Sequence, residues 1–176
     1  ALARWRHPER GNISPATFIA IAEQCGQIER LGEQVLRQVS RQLRQWQDEM
    51  LPTIPVAITV APRQLEYGHF VDLVASVTAD CGIDPSLLQV EITESTLMGH
   101  DGEQFAALQA LRRMGARVSI DDFGTGYSSL SYLKHLPIDC VKIDRSFVRD
   151  MQGDERDAAI VSAIVNIAHS LGLRVI

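Results

Sequence analysis

Residues 103–121 read EQFAALQALRRMGARVSID, and they join one helix to one strand. The first part, residues 103–114, has the pattern of a helix, and Gly115 lies where such a helix would end. Residues 117–121 follow as a short apolar run of strand length that closes on an acid. A helix that leads through a glycine turn into a buried strand is typical of α/β proteins, so the question is whether the unit recurs.

The unit recurs towards the amino terminus. Ser14 is suited to be the N-cap and Pro15 the first residue of a helix, and a longer helix from about Leu31 is ended by Pro52 and Pro55. The longer helix has apolar residues at helical spacing: Leu31, Val35, Val39, Leu43, Trp46 and Met50. After it we predict a strand at 56–60, a helix at 70–81 and a strand at 87–91.

The unit also recurs towards the carboxyl terminus, where we predict a short helix at 129–135, a strand at 140–144, a helix at 155–171 and a strand at 173–176. Short apolar strands between helices predict a parallel sheet covered by helices. A doubly wound open sheet and a (β/α)8 barrel both fit this alternation. Because no GxGxxG or Walker sequence follows the first strand, the pattern argues against a nucleotide-binding open sheet.

The composition predicts one cytoplasmic domain, residues 1–176. The chain is 45% hydrophobic, and no apolar run approaches the roughly 18 residues of a membrane span. The net charge of −5 argues against binding to DNA or RNA polymers. Cys25, Cys81 and Cys140 are too far apart for a zinc motif, and their odd number favours free thiols over a disulfide framework. The chain opens on Ala1 rather than Met, so we expect it to be a piece of a longer protein, whose membrane tethering would be decided elsewhere.

Charged residues lie at the ends of three successive predicted strands. One strand closes on Glu91 with Glu94 behind it, the next on Asp121-Asp122, and the next carries Lys142 and Asp144. In a parallel barrel the carboxyl ends of the strands converge on one mouth. Carboxylates gathered there repel one another unless a cation joins them, and their oxygens suit hard divalent ions such as Mg²⁺ or Mn²⁺.

Each of these residues also has a plainer interpretation. Glu94 could cap the following helix, and Lys142 could be a surface charge, although the chain has only one other lysine, Lys134. The segment FGTGYSSL at 123–130 could be an ordinary turn or a loop that holds the acid pair and responds to a ligand. The convergence of three strand ends nevertheless favours a shared metal site.

Four segments resemble the conserved segments of EAL domains. Residues 121–130 read DDFGTGYSSL, residues 91–95 read EITES, residues 141–148 read VKIDRSFV, and residues 4–8 read RWRHP. Their order and spacing agree with the family along essentially the whole chain. This resemblance implies a (β/α)8 TIM-barrel-like domain that hydrolyses cyclic di-GMP to linear pGpG with two Mg²⁺ or Mn²⁺ ions in bacterial signalling.

The resemblance also implies a role for each site residue. Glu91, Asp121 and Asp122 would bind the metal ions, with Thr59 at a fourth ligand position. Lys142 would orient or polarise the attacking water beside Asp121, and Glu94 would brace the glycine loop. Arg4 and Asp144 would contact the substrate. The loop from Phe123 to Ser129 would contribute to a homodimer.

The chain departs from the family pattern at three places. The signature glutamate would precede Ala1, and the chain stops at Ile176 before a later family glutamate, so we expect an incomplete barrel that is inactive by itself. Thr59 stands where the family has a metal-binding asparagine. The parent domain is therefore either a phosphodiesterase or a degenerate EAL domain that acts as a cyclic di-GMP receptor or a protein-interaction module. An unrelated barrel acting on a mononucleotide or sugar phosphate is a third alternative.

Overall fold

The computed structural model describes residues 1–94, 96, 102–125, 133–149 and 155–176. Its strands are β1 (Trp5–His7), β2 (Gly11–Ile13), β3 (Val56–Thr59), β4 (Leu88–Thr93), β5 (Arg117–Phe123), β6 (Cys140–Ile143) and β7 (Arg174–Val175). Its α-helices are α1 (Pro15–Gln24), α2 (Ile28–Asp48), α3 (His69–Cys81), α4 (Gly102–Arg113), α5 (Arg145–Arg149) and α6 (Glu155–Ser170). 3-10 helices cover Pro62–Gly68 and Pro85–Leu87.

A five-stranded parallel sheet forms the centre, in the order β3-β4-β5-β6-β7. Neighbours in the sheet are also neighbours in the sequence, and α3, α4 and α6 lie on the connections between strands. Sequential parallel strands joined by helices characterise a TIM-barrel-like α/β fold. The predicted strands at 56–60, 87–91, 117–121, 140–144 and 173–176 are all confirmed to within two residues at each end.

The two faces of the sheet differ in chemistry, because successive side chains of a strand point to opposite sides. One face is apolar and packs against the helices through side chains that are almost completely buried: Val90, Ile92, Val118, Ile120 and Val141 from the strands, with Leu36, Leu43, Val74, Leu108 and Leu111 from the helices. The other face carries Thr59, Glu91 and Ser119, which are paired in register on three neighbouring strands. The core therefore fixes which face receives the polar residues.

The end of α2 differs from the sequence prediction. The helix stops at Asp48, and Met50 lies beyond it with 92% of its surface exposed and a φ of +53°. The backbone N–H of Leu51 donates to the carbonyl of Trp46 at 2.8 Å, which closes the helix end around Met50. The prediction that the helix includes Met50 is therefore wrong, because helical spacing alone does not reveal where a helix ends.

The amino terminus is a second difference. No strand was predicted before Ser14, whereas β1 pairs with β2 there as a separate antiparallel hairpin. The 3-10 helix at Pro62–Gly68 and the short helix α5 were also not predicted. The predicted helix at 129–135 lies largely outside the described residues. All three cysteines are free, as predicted, and none of the described helices has the length and apolar character needed to cross a membrane.

Candidate active site

Glu91, Asp121 and Lys142 meet at the carboxyl ends of three adjacent strands. The Nζ atom of Lys142 lies 2.8 Å from Oε1 of Glu91 and 3.0 Å from Oδ1 of Asp121. The side chain of Lys142 is 25% exposed, that of Glu91 11% and that of Asp121 26%, so the contacts are partly shielded from solvent. The structure therefore brings together one residue from each of the three predicted strand ends.

The charge of Lys142 is stabilised by these contacts. Desolvation by the surrounding protein works to lower its pKa, but hydrogen bonds and charge attraction from Glu91 and Asp121 outweigh it, so the pKa of Lys142 is raised above its ordinary value. Lys142 is consequently a permanent cation at neutral pH. A protonated lysine donates hydrogen bonds and does not accept a proton.

A β-bulge at Asp121-Asp122 shapes the end of β5. Ile120 pairs with Val141 and Phe123 with Ile143, so two residues of β5 lie opposite the single residue Lys142. Asp122 has a φ of +54°, in the left-handed region that aspartate tolerates better than most residues. The bulge lets two consecutive acids interact with groups at the end of the neighbouring strand β6.

Asp122 and Asp144 form a second pair of acids, beside Glu91 and Asp121. Desolvation, together with the negative charges of Asp121 and Asp144, raises the pKa of Asp122. Hydrogen bonds from the hydroxyl and backbone N–H of Ser146, the latter at 2.8 Å, lower the pKa of Asp144, whose carboxylate caps α5. Aspartate two positions before serine is a known capping pattern, and it could have been found in the sequence.

Glu94 contacts the glycine loop. Its Oε2 atom accepts a hydrogen bond from the backbone N–H of Gly124 at 2.9 Å, and the side chain is only 3% exposed. Gly124 has a φ of +102°, and a Cβ atom there would lie 2.9 Å from Cε2 of Phe147. Glycine is therefore required at this position on two grounds. No pattern in the sequence predicts that Phe147 lies this close to Gly124.

Thr59 and Arg4 lie to one side of the acids. Thr59 is exposed at the end of β3, in register with Glu91. Arg4 and Thr59 line a cavity of about 480 Å³ together with Thr93, at the end of β4. Arg4 is exposed and donates to the carbonyl of Ala3 at 3.0 Å. The structure thus brings Arg4 close to the ends of β3 and β4, whereas residues 126–129 of the loop predicted at a dimer interface lie outside the described part.

The chemistry of the donor set fits a hard divalent cation. Four carboxylates, those of Glu91, Asp121, Asp122 and Asp144, lie at the ends of β4, β5 and β6, and Lys142 contacts the first two. Desolvation, and after it the negative charges of Asp121 and Asp144, raises the pKa of Asp122. Oxygen donors of this kind are the ligands that Mg²⁺ and Mn²⁺ prefer. Among the described residues, no three such side chains are already spaced around a common metal position.

Known proteins share this sequence and fold. The family model for the EAL domain matches residues 1–176. The chain is 43% identical over 176 residues to the bifunctional diguanylate cyclase/cyclic di-GMP phosphodiesterase MucR, and 40% identical to the cyclic di-GMP phosphodiesterase NbdA, both of Pseudomonas aeruginosa. It is wholly covered in both comparisons but spans only 26% and 22% of those proteins.

A solved structure shows the same fold. It is described as the PaMucR phosphodiesterase in complex with c-di-GMP, it is 42% identical, and it matches with a TM-score of 0.91 over 98% of this chain and 70% of its own. The family model matches the whole sequence, and the fold agrees with the solved structure over 98% of the chain. The chain belongs to the EAL domain family.

Proposed function

We propose that the domain to which this chain belongs hydrolyses cyclic di-GMP to linear pGpG. The observation that carries the proposal is the contact of Lys142 with both Glu91 and Asp121, at 2.8 and 3.0 Å, where three parallel strands end. The similarity to a phosphodiesterase that binds c-di-GMP supports the choice of substrate. A phosphodiester is an anion that resists attack by water, so a site for it must supply positive charge.

Glu91, Asp121 and Asp122 are proposed to hold two Mg²⁺ or Mn²⁺ ions, with Thr59 or a water molecule completing the site. Divalent ions bound there would lower the pKa of water and neutralise charge on the phosphoryl oxygens. Thr59 is in register with Glu91, which supports its place beside the ligands. Its hydroxyl is on a shorter stem than the amide of asparagine, so we expect it to bind a cation more weakly.

Lys142 and Arg4 are proposed to bind and orient. Because the raised pKa keeps Lys142 protonated, it would hold the attacking water or a phosphoryl oxygen by hydrogen bonds, and it would not remove a proton. Arg4 would bind a substrate phosphate, which its position on the cavity beside Thr59 supports. Asp144 would offer the substrate an acceptor at the end of β6.

Glu94 is proposed to keep the bulge in place. Its bond to the N–H of Gly124 lies two residues beyond Asp122, so the carboxylate restrains the segment that carries both acids. The prediction that the loop from Phe123 to Ser129 pairs two copies of the domain remains untested.

A cyclic di-GMP receptor without hydrolysis is the second candidate, and Thr59 is the observation that favours it. If the hydroxyl of Thr59 fails to reach the cation, the ligand could still bind through the positive charges of Arg4 and Lys142. The receptor and the enzyme differ in one measurable property, the formation of pGpG.

The test uses the complete parent domain, incubated with cyclic di-GMP and Mn²⁺, with pGpG separated by ion-exchange chromatography. We expect turnover, and we expect Asp121→Asn and Glu91→Gln to reduce it by more than about a hundredfold. Replacing a residue that only hydrogen-bonds to a metal ligand already lowers metal affinity or activity about 10–100-fold, and replacing the ligand itself should have a larger effect. Asp72→Asn, an exposed acid on α3, is the matched control. Binding of cyclic di-GMP without formation of pGpG would identify the domain as a receptor. Full activity of Asp121→Asn would refute the proposed active site.

A further inference from the structure

A second cavity, of about 630 Å³, lies at the opposite end of the strands. Arg117 is the first residue of β5, Asp139 immediately precedes β6, and Arg174 is the first residue of β7, and all three line it. Lys142 and the acids lie at the carboxyl ends of these strands. The cavity is therefore separate from the candidate active site, and the proposed function does not use it.

The charge of this cavity is strongly positive. Four cations line it, namely Arg112, Arg117, Lys134 and Arg174, against the single carboxylate of Asp139. Both carboxylate oxygens of Asp139 already accept hydrogen bonds. Oδ1 accepts from Nη2 of Arg112 at 2.8 Å, and Oδ2 accepts from the N–H of Val118 at 2.9 Å. Within the described part of the chain, the other three cations form no ion pair. A net positive charge of three thus remains in a protein whose overall charge is −5.

The backbone around Asp139 connects the strands that carry Arg117 and Arg174. The N–H of Asp139 donates to the carbonyl of Val118 at 2.8 Å, and its carbonyl accepts from the N–H of Arg174 at 3.0 Å. Together with the side-chain bond to Val118, these contacts fix the starts of β5, β6 and β7 relative to one another. The backbone positions of Arg117 and Arg174 are therefore fixed relative to each other.

The remaining wall of the cavity is apolar, and it is formed by Leu133, Leu136, Ile138, Leu171 and Leu173. A cationic cluster beside an apolar wall fits an anion that carries an organic group. Guanidinium groups match the oxygens of phosphate with paired hydrogen bonds, and a phosphate dianion suits the charge excess better than a single carboxylate does. The volume lies within the range of about 300–1,000 Å³ that small-molecule sites occupy.

We propose that this cavity binds a small phosphate ester. The phosphate contacts Arg117, Lys134 and Arg174, and the organic group packs against the leucine-rich wall. Arg112 is committed to Asp139 and supports the site from one side.

The test is calorimetric titration of the complete parent domain with phenyl phosphate and with inorganic phosphate. EDTA is present throughout, so that no divalent ion attracts either probe to the carboxylate cluster. The variants are Arg117→Gln, Lys134→Gln and Arg174→Gln, and Arg41→Gln is the matched control, because Arg41 is an exposed arginine of α2 away from the cavity. Far-UV circular dichroism verifies that each variant is folded, and Lys134 and Arg174 are exposed enough to be replaced without disturbing the core.

We expect phenyl phosphate to bind more tightly than inorganic phosphate, because its ring buries apolar surface. Each cavity variant should weaken its binding by about tenfold, which corresponds to about 1.4 kcal/mol, because each loses a charge-assisted hydrogen bond to the phosphate. Arg41→Gln should leave binding unchanged, and raising the ionic strength from about 0.05 M to about 0.5 M should weaken it. Absence of binding, equal affinity for the two probes, or equal binding by the cavity variants and the control would each overturn the proposal.

Discussion

Replacing Lys142 by Met tests how far the acids at the strand ends depend on one cation. Met keeps much of the length and apolar stem of lysine and removes only the charged head. In the absence of divalent metal, Glu91 and Asp121 would then face each other without the Nζ atom that now lies 2.8 and 3.0 Å from them. Both carboxylates are mostly shielded from water, so their repulsion is only partly screened.

The expected cost follows from the degree of burial. Removing one partner of a fully buried ion pair costs about 3–5 kcal/mol, and exposed pairs contribute about 0.2–1 kcal/mol. With 25% of the Lys142 side chain exposed, the site lies between these limits but nearer the buried one. We therefore expect Lys142→Met to lower the free energy of unfolding by about 2–3 kcal/mol.

The assay is urea denaturation of the domain in EDTA. It is carried out as a double-mutant cycle, in which Lys142→Met is measured with and without Glu91→Gln. If the cost arises from uncompensated carboxylates, Lys142→Met should cost about 1 kcal/mol less when Glu91 has already been replaced by the neutral amide. Lys134→Met is the control, because Lys134 is the only other lysine and is exposed, and it should change stability by less than about 0.5 kcal/mol. Because the pKa of Lys142 is raised, the stabilisation should be present in full below pH 10.5 and be lost as the pH rises through the folded-state value.

Two results would refute this reasoning. A cost no greater than that of Lys134→Met would mean that the contacts of Lys142 contribute nothing to the metal-free fold. A cost that is the same in the Glu91→Gln background as in the unmodified chain would mean that the loss comes from packing and not from charge.

Three further predictions concern the backbone and its charges. Met50→Gly should raise the free energy of unfolding by about 0.5–1 kcal/mol in urea denaturation, because the exposed Met50 has a φ of +53° that glycine adopts without strain; a destabilised variant would contradict this. Gly32→Ala should destabilise, because its Cβ would lie 2.0 Å from Nε2 of Gln64, whose Oε1 accepts from Ala61 N–H at 3.1 Å. In a Gln64→Ala background the same change should instead raise the free energy of unfolding by up to about 1 kcal/mol, because alanine is preferred over glycine in helices. Thermal unfolding measures both effects, and destabilisation in both backgrounds would contradict the prediction. Asp122→Asn should stabilise the metal-free domain at neutral pH, because a raised carboxyl pKa means that the charged form is disfavoured in the folded state; the gain should vanish below pH 3.8, and a gain that persists there would exclude charge as its cause.

The sheet could be predicted from the sequence because its strands are short apolar runs between helices. Val90, Val118 and Val141 lie in such runs, and their complete burial explains why the sequence is apolar there. The amino-terminal hairpin could not be predicted in this way. Its strands have three residues each and are largely exposed, so they leave no apolar period.

The site was predictable to the extent that strand ends in a parallel sheet converge. That rule alone placed Glu91, Asp121 and Lys142 at one edge, and their contacts agree with it. The partners of Glu94 were not predictable from spacing. A glutamate after a strand can cap a helix or reach a neighbouring loop, and only the three-dimensional distance to Gly124 decides between them.

The pair Asp121-Asp122 is the instructive case, because strand alternation by itself gives the wrong result. In a regular strand two consecutive residues face opposite sides, so one acid would point at the apolar helix layer. The bulge opposite Lys142 removes this conflict, at the cost of a left-handed backbone at Asp122 that is about 1–2 kcal/mol less favourable for an ordinary residue. Aspartate tolerates that conformation, Gly124 continues the turn, and Glu94 holds it by a hydrogen bond. The acid pair and the glycine that follows it therefore depend on one another, since without the local turn the second acid would face the core.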